Sequence, residues 1–159
     1  MSVVRKLRPW ELEELIPFAE AFHGEAKLGG EFSADVFIHQ MASLGQSGRL
    51  GAFGIFDGDD LRGVLVGTIG QHFLSPVFIA QEIMWYVHPE FRNGTGGIRL
   101  VSEFEKWAKE LGAFAVVMAS FKGTDSDDRL SAIYDRRGYS LIEQHYFKPV
   151  ATWPSSHQQ

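Results

Sequence analysis

The chain has 159 residues, 45% of them hydrophobic and 22% charged, with a formal charge of −5 and no cysteine. That length and apolar content suit one domain with a sizeable core, while the lack of cysteine excludes disulfides, thiolate zinc sites and a cysteine nucleophile and fits a reducing, cytoplasmic setting. The acidic balance argues against a nucleic-acid partner, which would favour a basic patch, and the apolar runs are too short to span a membrane.

In chain order, residues 3–8 alternate apolar and basic as an edge strand does, a pattern unlike a signal peptide. Leu12, Leu15, Ile16, Ala19 and Phe22 recur at helical spacing over 9–23, with Pro17 predicted to kink that helix. A loop is expected over 24–30, Ser33 caps a second helix running to Leu44, and Gly45-Gln-Ser-Gly48 reads as a polar loop. Strands over 50–56 and 61–71 flank Asp57-Gly-Asp-Asp60, a hairpin turn. A strand over 79–88 enters a glycine-rich turn, and the nearly continuous apolar run 113–121 predicts a strand buried on both faces. Residues 140–150 are expected to close the sheet. The organisation is β-α-α-β-β-β-α-β-α-β-β, one domain over 1–150, with a tail over 151–159 lying on the surface and anchored by Trp153. Phe53, Phe56, Phe104 and Phe114 are assigned to the core rather than to base stacking.

The most informative stretch runs from Trp85 to Leu100. Past its turn, Gly97, Leu100, Val101, Phe104, Trp107, Ala108 and Leu111 recur at helical spacing, so a helix starts near Gly97 and stops at Gly112. Its first amides lack intrahelical partners and stand at the positive end of the helix dipole, and small residues let a phosphate come close. The turn is suited to a pyrophosphate. A Walker loop would need Lys and then Ser or Thr after Gly97, where Ile98 and Arg99 stand, and a dinucleotide fingerprint opening at Gly94 would need glycine in place of Arg99.

Val87, Pro89, Arg92 and Gly97, at the start of a long helix, resemble the pattern Val-x-Pro-x-x-Arg-x-x-Gly-x-Gly of the GCN5-related N-acetyltransferase (GNAT) family. Thr95 stands where that family usually has glycine, in a position flanked by Gly94 and Gly96. A second segment, Asp127 to Tyr139, resembles the family's helix bearing a tyrosine four residues before a Gly-aromatic pair, here Tyr134 before Gly138 and Tyr139. On its own terms this segment is a helix that Asp127 can cap, with Leu130, Ile133 and Tyr134 on one face, Arg136 and Arg137 at the negative end and Gly138 as its stop. The resemblance implies an α/β single-domain fold with a mixed, mostly antiparallel sheet flanked by helices. It also implies acetyl-coenzyme A as acyl donor, held by the backbone of Tyr86 and Val87 along the pantetheine and by Arg92, Asn93, Gly94, Thr95, Gly96 and Gly97 around the pyrophosphate.

The implied reaction is direct acetyl transfer to a primary amine. An ammonium of pKa ~10.4 must lose a proton before it attacks, and the departing thiolate benefits from an acid beside the sulfur. Tyr134 matches the family tyrosine with that acid role, against the alternative of a packed tyrosine bonded to backbone. Glu82, in the strand before the loop and alternating with Ala80 and Met84, is the candidate base; a structural ion pair or a hook for a cationic substrate is the competing reading. His88 and His23 are weaker candidates. The six histidines show no metal-ligand spacing and no Gly-x-Ser-x-Gly elbow occurs, so no metal is expected. A non-catalytic acyl-coenzyme A binding or regulatory module on this fold, or an interaction protein without the ligand, are the alternatives. The acceptor, a small-molecule or peptide amine, is set by loops near 24–33 and 71–78 that carry no signature, and homodimer formation is left open.

Overall fold

The computed structural model describes residues 1–27 and 29–152, so the expectation for Trp153 and most of the tail lies outside the described residues. Five strands form one sheet in the order β1 (Ser2–Lys6), β2 (Leu50–Asp57), β3 (Asp60–Gln71), β4 (Phe78–Val87) and β5 (Ala115–Val117). Neighbours are antiparallel except β4 and β5, which run parallel. The fold is thus the mixed, mostly antiparallel sheet expected from the sequence.

Helices α1 (Ile16–Ala26) and α2 (Ala34–Gln46) cover one face, and α3 (Gly96–Glu110) covers the other. Period-two alternation assigns the strand residues to the two layers. Phe53, Ile55, Leu65 and Ile69 pack with Leu100, Val101, Phe104 and Trp107 of α3, whereas Ala52, Phe56, Val64 and Val66 pack with Leu15, Ala19 and Met41. The β2–β3 hairpin turns on Gly58, whose φ of +64° is the left-handed value that the first position of a type II′ turn requires. Ser33 caps α2 by accepting from the Val36 amide at 3.3 Å.

Several expectations are corrected. Residues 9–23 are not one kinked helix: a 3-10 segment, Pro9–Leu15, leads into α1, and Pro17 sits in the first turn of α1, where its missing N–H costs no hydrogen bond. Helix α1 continues through Gly24, Glu25 and Ala26, and α2 through Gly45 and Gln46, so both predicted loops are shorter. Asp127 does not cap α4 (Asp127–Arg136); it is the first helical residue, and its carboxylate accepts from Ser120 Oγ at 3.0 Å.

The apolar run 113–121 supplies only the short β5, at the sheet edge, with residues 115–118 half-exposed rather than buried on both faces. Phe114, assigned to the core, is 75% exposed, while Phe53, Phe56 and Phe104 are buried. Residues 140–150 form no strand and every one of them is exposed, so the sheet is not closed by this segment of the same chain.

Candidate active site

Strands β4 and β5 pair only from Ile79 to Gln81, and β4 then runs on to Val87. From Glu82 onward the edge of β4 that faces away from β3 has no strand partner among the described residues. A bulge falls at the same point: Val66 pairs with Met84 and Gly67 with Glu82, leaving Ile83 unpaired. The bulge inverts the alternation expected across Glu82. Ala80 packs in the α3 layer, but Met84 packs with the α1 and α2 layer, so the two do not share a face as predicted.

The opening between the strands is an open cleft of about 900 Å³, walled by Trp85, Tyr86 and Val87 of β4, by Gly97 of α3, and by Arg129 and Leu130 of α4. It adjoins a smaller cavity of about 420 Å³ bordered by Phe22, Glu82, Ala119 and Phe121. Glu25, Trp85, Ser126 and Leu130 border both. A long groove therefore runs from the start of α3 to Glu82.

The loop before α3 is built without left-handed glycines. Thr95 has φ −88° and ψ −5°, an ordinary right-handed conformation, so it occupies the position of the usual glycine without backbone strain. Gly96 is buried because α3 begins close to β2: a Cβ there would lie 2.8 Å from Ile55 Cδ1. The amides of Gly96, Gly97 and Ile98 open the helix and have no intrahelical acceptor. Gly94 and Gly97 line the cleft, whereas Asn93 and Thr95 are exposed on the loop.

Arg92 braces this loop. Its Nε donates to the Val87 carbonyl at 2.7 Å, an Nη donates to Glu25 of α1 at 2.8 Å, and the guanidinium lies 5.0 Å from the Tyr86 ring centroid. Arg129 donates to the Arg92 carbonyl from the first turn of α4. Two guanidinium groups thus stand beside the free amides of α3, a cationic end suited to phosphate.

At the other end, burial pushes the Glu82 carboxyl up to about 8, partly offset by a backbone hydrogen bond from Ala119. Among the described residues no ion pair involves Glu82. The Tyr134 hydroxyl donates to the Ala119 carbonyl at 2.6 Å, and its ring packs 6.3 Å from Trp85 and 5.6 Å from Tyr139. Burial first, then the neighbouring Glu82 and Tyr139, raise the Tyr134 hydroxyl well above the ordinary tyrosine range and keep it protonated. His88 is exposed and His23 lies beside Phe32, so neither borders the cavity that holds Glu82. Among the described residues no cluster of His, Cys, Asp and Glu could hold a metal.

Three site residues escaped sequence reasoning. Trp85 borders both cavities, and its indole N–H is buried without a hydrogen-bond partner, an arrangement that a polar ligand would satisfy. Glu25 anchors Arg92 from a helix 67 positions away, a pairing with no local signature. Arg129 did carry a signal: a cation in the first turn of a helix opposes the dipole and calls for an anion nearby.

The acetyltransferase (GNAT) family profile matches residues 12–139. Solved structures with the same fold include glucosamine-6-phosphate N-acetyltransferase from Arabidopsis thaliana, at 15% identity and TM-score 0.72, covering 95% of this chain and 99% of that one. The ribosomal-protein-alanine N-acetyltransferase from Brucella melitensis biovar Abortus matches at 16% identity and TM-score 0.72, over 95% of this chain and 100% of that one. An aminoglycoside N-acetyltransferase solved in complex with coenzyme A matches at 14% identity and TM-score 0.74, over 94% of each chain. A search of curated proteins finds no match. Among the described residues no helix is long and apolar enough to cross a membrane.

Proposed function

The chain belongs to the acetyltransferase (GNAT) family and is an acyltransferase that uses acetyl-coenzyme A, and we propose that it transfers the acetyl group directly to a primary amine in the groove between β4 and α4. The observation that carries this reading is the groove itself, with free helix amides and two arginines at one end and the Glu82 carboxyl at the other, where the Tyr134 hydroxyl is bonded to the lining residue Ala119 and its ring packs on Trp85 without itself bordering the groove. The residues present fit the donor. Gly96, Gly97 and Ile98 offer amides to the pyrophosphate, Arg129 and Arg92 add charge, Val87 offers its backbone N–H to the pantetheine at the open edge of β4, where its carbonyl accepts from Arg92 and Tyr86 pairs with β3, and Trp85 offers its unpartnered N–H.

In this reading Glu82 removes a proton from the ammonium, directly or through a water, once its own carboxyl is ionised. The amine nitrogen then bonds to the thioester carbonyl carbon, Tyr134 gives its hydroxyl proton to the sulfur as the carbon–sulfur bond breaks, and the second proton that the nitrogen sheds returns through water to the Tyr134 oxygen. The Tyr134 hydroxyl must first leave the Ala119 carbonyl, a rotation of one side chain. The solved relatives are named for a sugar phosphate, a protein alanine and an aminoglycoside, so the amine class is read from this chain's own cavity. Phe22 and Phe121 make that cavity partly aromatic, their centroids 5.8 Å apart, with Glu82 at its end, while Glu25 on its border is paired with Arg92. An amine with an apolar body suits it, and the cysteine-free composition suits cytoplasmic work.

The test is coenzyme A release across a panel of amines, with thermal stabilisation by acetyl-coenzyme A measured alongside. Stabilisation with amine-dependent thiol release is expected; stabilisation without release for any amine would remove the transfer step, and no stabilisation would remove the cleft assignment.

A further inference from the structure

The two arginines at the phosphate end of the groove are both engaged with protein acceptors, but not equally. Arg92 is held by the Val87 carbonyl, the Glu25 carboxylate and the Tyr86 ring. Arg129 is exposed, and among the described residues its hydrogen bond runs to one neutral acceptor, the Arg92 carbonyl. Asp125 borders the same cleft, yet among the described residues no ion pair joins it to Arg129. A diphosphate brings several charged oxygens, and hydrogen bonds to ionised groups are roughly twice as strong as neutral ones. Arg129 is therefore the guanidinium that an arriving diphosphate draws away, while Arg92 stays with its loop.

What Arg129 carries with it is α4, and α4 carries Tyr134. The two residues stand five positions apart on one ten-residue helix, a rise of ~7.5 Å. Among the described residues of α4, Ile133 alone is fully buried, so polar ties do much to hold the helix in place. At its far end Arg137 donates to Glu105 and Ser102 of α3. At its near end are the Arg129 bond and the bond from Ser120 Oγ to Asp127, whose two short side chains can turn with the helix. Between these ends the Tyr134 hydroxyl donates to the Ala119 carbonyl at 2.6 Å, which keeps its proton from the groove. Arg129 and Tyr134 lie eight and three positions from Arg137, so a tilt about that end that moves Arg129 by ~2 Å moves Tyr134 by ~0.75 Å. Along the bond, that shift takes a 2.6 Å contact beyond the ~3.0 Å reach of an O–H donor.

We infer that Arg129 couples the donor's diphosphate to the general acid. Resting on the acetyl-transfer reading above, the inference is that diphosphate binding draws Arg129 off the Arg92 carbonyl, tilts α4 about its Arg137 end and frees the Tyr134 hydroxyl from Ala119. The diphosphate favours the tilted state because only there is Arg129 free to meet it, which is the differential affinity that a shift between two states requires. Arg129 is then a positioning residue for Tyr134 as well as a phosphate ligand. The coupling also gives the enzyme a selectivity expressed in turnover. Phosphate contacts remote from the thioester are spent on releasing the acid, so an acyl donor that ends at pantetheine leaves Tyr134 bonded to backbone and reacts slowly even when saturating.

Two measurements separate this coupling from simple phosphate binding. In steady-state kinetics, Arg129→Met should lower turnover at saturating acetyl-coenzyme A by ~10-fold or more, a part of the ~10²–10⁴-fold that a general acid supplies. Added to Tyr134→Phe, it should cause little further loss, because the group it positions is already gone. A raised Michaelis constant with turnover preserved, or fully additive losses, would overturn the proposal. The second measurement needs no amine. With 3-fluorotyrosine in place of Tyr134, the fluorine resonance should shift on saturation with adenosine 3′-phosphate 5′-diphosphate, the nucleotide half of coenzyme A, which has no pantetheine to reach position 134. The shift should vanish in a folded Arg129→Met variant saturated with the same nucleotide. Binding without a shift, or a shift that survives Arg129→Met, overturns the coupling alone, whereas a nucleotide that does not bind removes the cleft assignment and this inference with it. If no amine supports thiol release, the transfer reading fails while the fluorine signal still decides whether Arg129 moves Tyr134.

Discussion

Glu82 and Tyr134 meet through a single residue, Ala119, whose backbone N–H bonds to the Glu82 carboxyl while its carbonyl accepts the Tyr134 hydroxyl at 2.6 Å. One peptide segment beyond β5 therefore fixes both groups proposed to move protons, although they lie 52 positions apart in sequence. Replacing Tyr134 by phenylalanine keeps the ring against Trp85 and Tyr139 and removes only the hydroxyl. Tyr134→Phe is expected to lower turnover by ~10²–10⁴-fold, with cofactor affinity little changed. Loss of its hydrogen bond should cost ~0.5–1.5 kcal/mol of stability. Unchanged turnover in a less stable variant would instead make Tyr134 a packing residue.

Glu82 makes a pH signature that works in both kinetics and stability. As the proposed base it must be ionised, so turnover should rise with pH through about 8 and the acid limb should vanish in Glu82→Gln. Its folded pKa lies above the ordinary carboxylate value of 4.5, so the folded protein retains a proton that the unfolded chain gives up. This contribution to stability is fully present below 4.5 and is lost as pH rises through about 8. Glu82→Gln should accordingly gain in melting temperature relative to the parent chain between pH 5 and 8. A variant with full turnover and an intact acid limb would exclude Glu82 from catalysis, and a raised Michaelis constant with turnover preserved would make it a hook for the substrate.

The parts of this molecule legible in the sequence are those fixed locally. The α3 stripe of Leu100, Val101, Phe104, Trp107 and Ala108 is buried, the Gly58 turn forms the predicted hairpin, and Gly94 and Gly97 border the cleft. What escaped depends on distant partners. Periodicity reads 113–121 as enclosed because it registers apolar composition, not whether a neighbouring strand exists, and Phe114 is misassigned for the same reason. The bulge at Ile83 leaves no compositional trace, yet it decides which layer Met84 joins. Thr95 shows the converse: it stands where the family usually has glycine, yet the backbone there makes no demand for one, because glycine here serves close packing at Gly96 rather than positive φ.

Stability should also depend on Glu11, a buried carboxylate that ties the first strand to the helical layer. Both of its oxygens accept from Arg5 at 2.8 Å, and one also accepts from the Arg8 amide at 2.7 Å. The Arg5 hydrogen bonds, then that amide, hold its pKa down to about 2. The folded pKa is depressed, so the stabilisation is present above 4.5 and disappears as pH falls through about 2. Glu11→Gln is expected to lower the melting temperature by several degrees at pH 7 and by progressively less in acid. An equal deficit at pH 7 and pH 2 would show that packing, rather than the ionised pair, is what the substitution removes.

The phosphate end of the groove can be tested without catalysis. A Cβ on Gly97 would lie 3.5 Å from Trp85 Cζ2, ordinary contact, so α3 can accept a side chain there without repacking. Gly97→Ala should therefore fold and retain coenzyme A. Gly97→Glu extends a negative side chain at the open end of α3, where the amides of Gly96, Gly97 and Ile98 and the guanidinium of Arg129 await an anion. A charge that close competes for the helix dipole, an interaction of up to ~2 kcal/mol in partly buried geometry, and its bulk occupies the cleft besides. Coenzyme A affinity measured by calorimetry should fall by ~30-fold or more, since each ~1.4 kcal/mol is tenfold. Retained affinity in a folded Gly97→Glu variant would remove the pyrophosphate from this loop and, with it, the orientation of the donor along the groove towards Glu82.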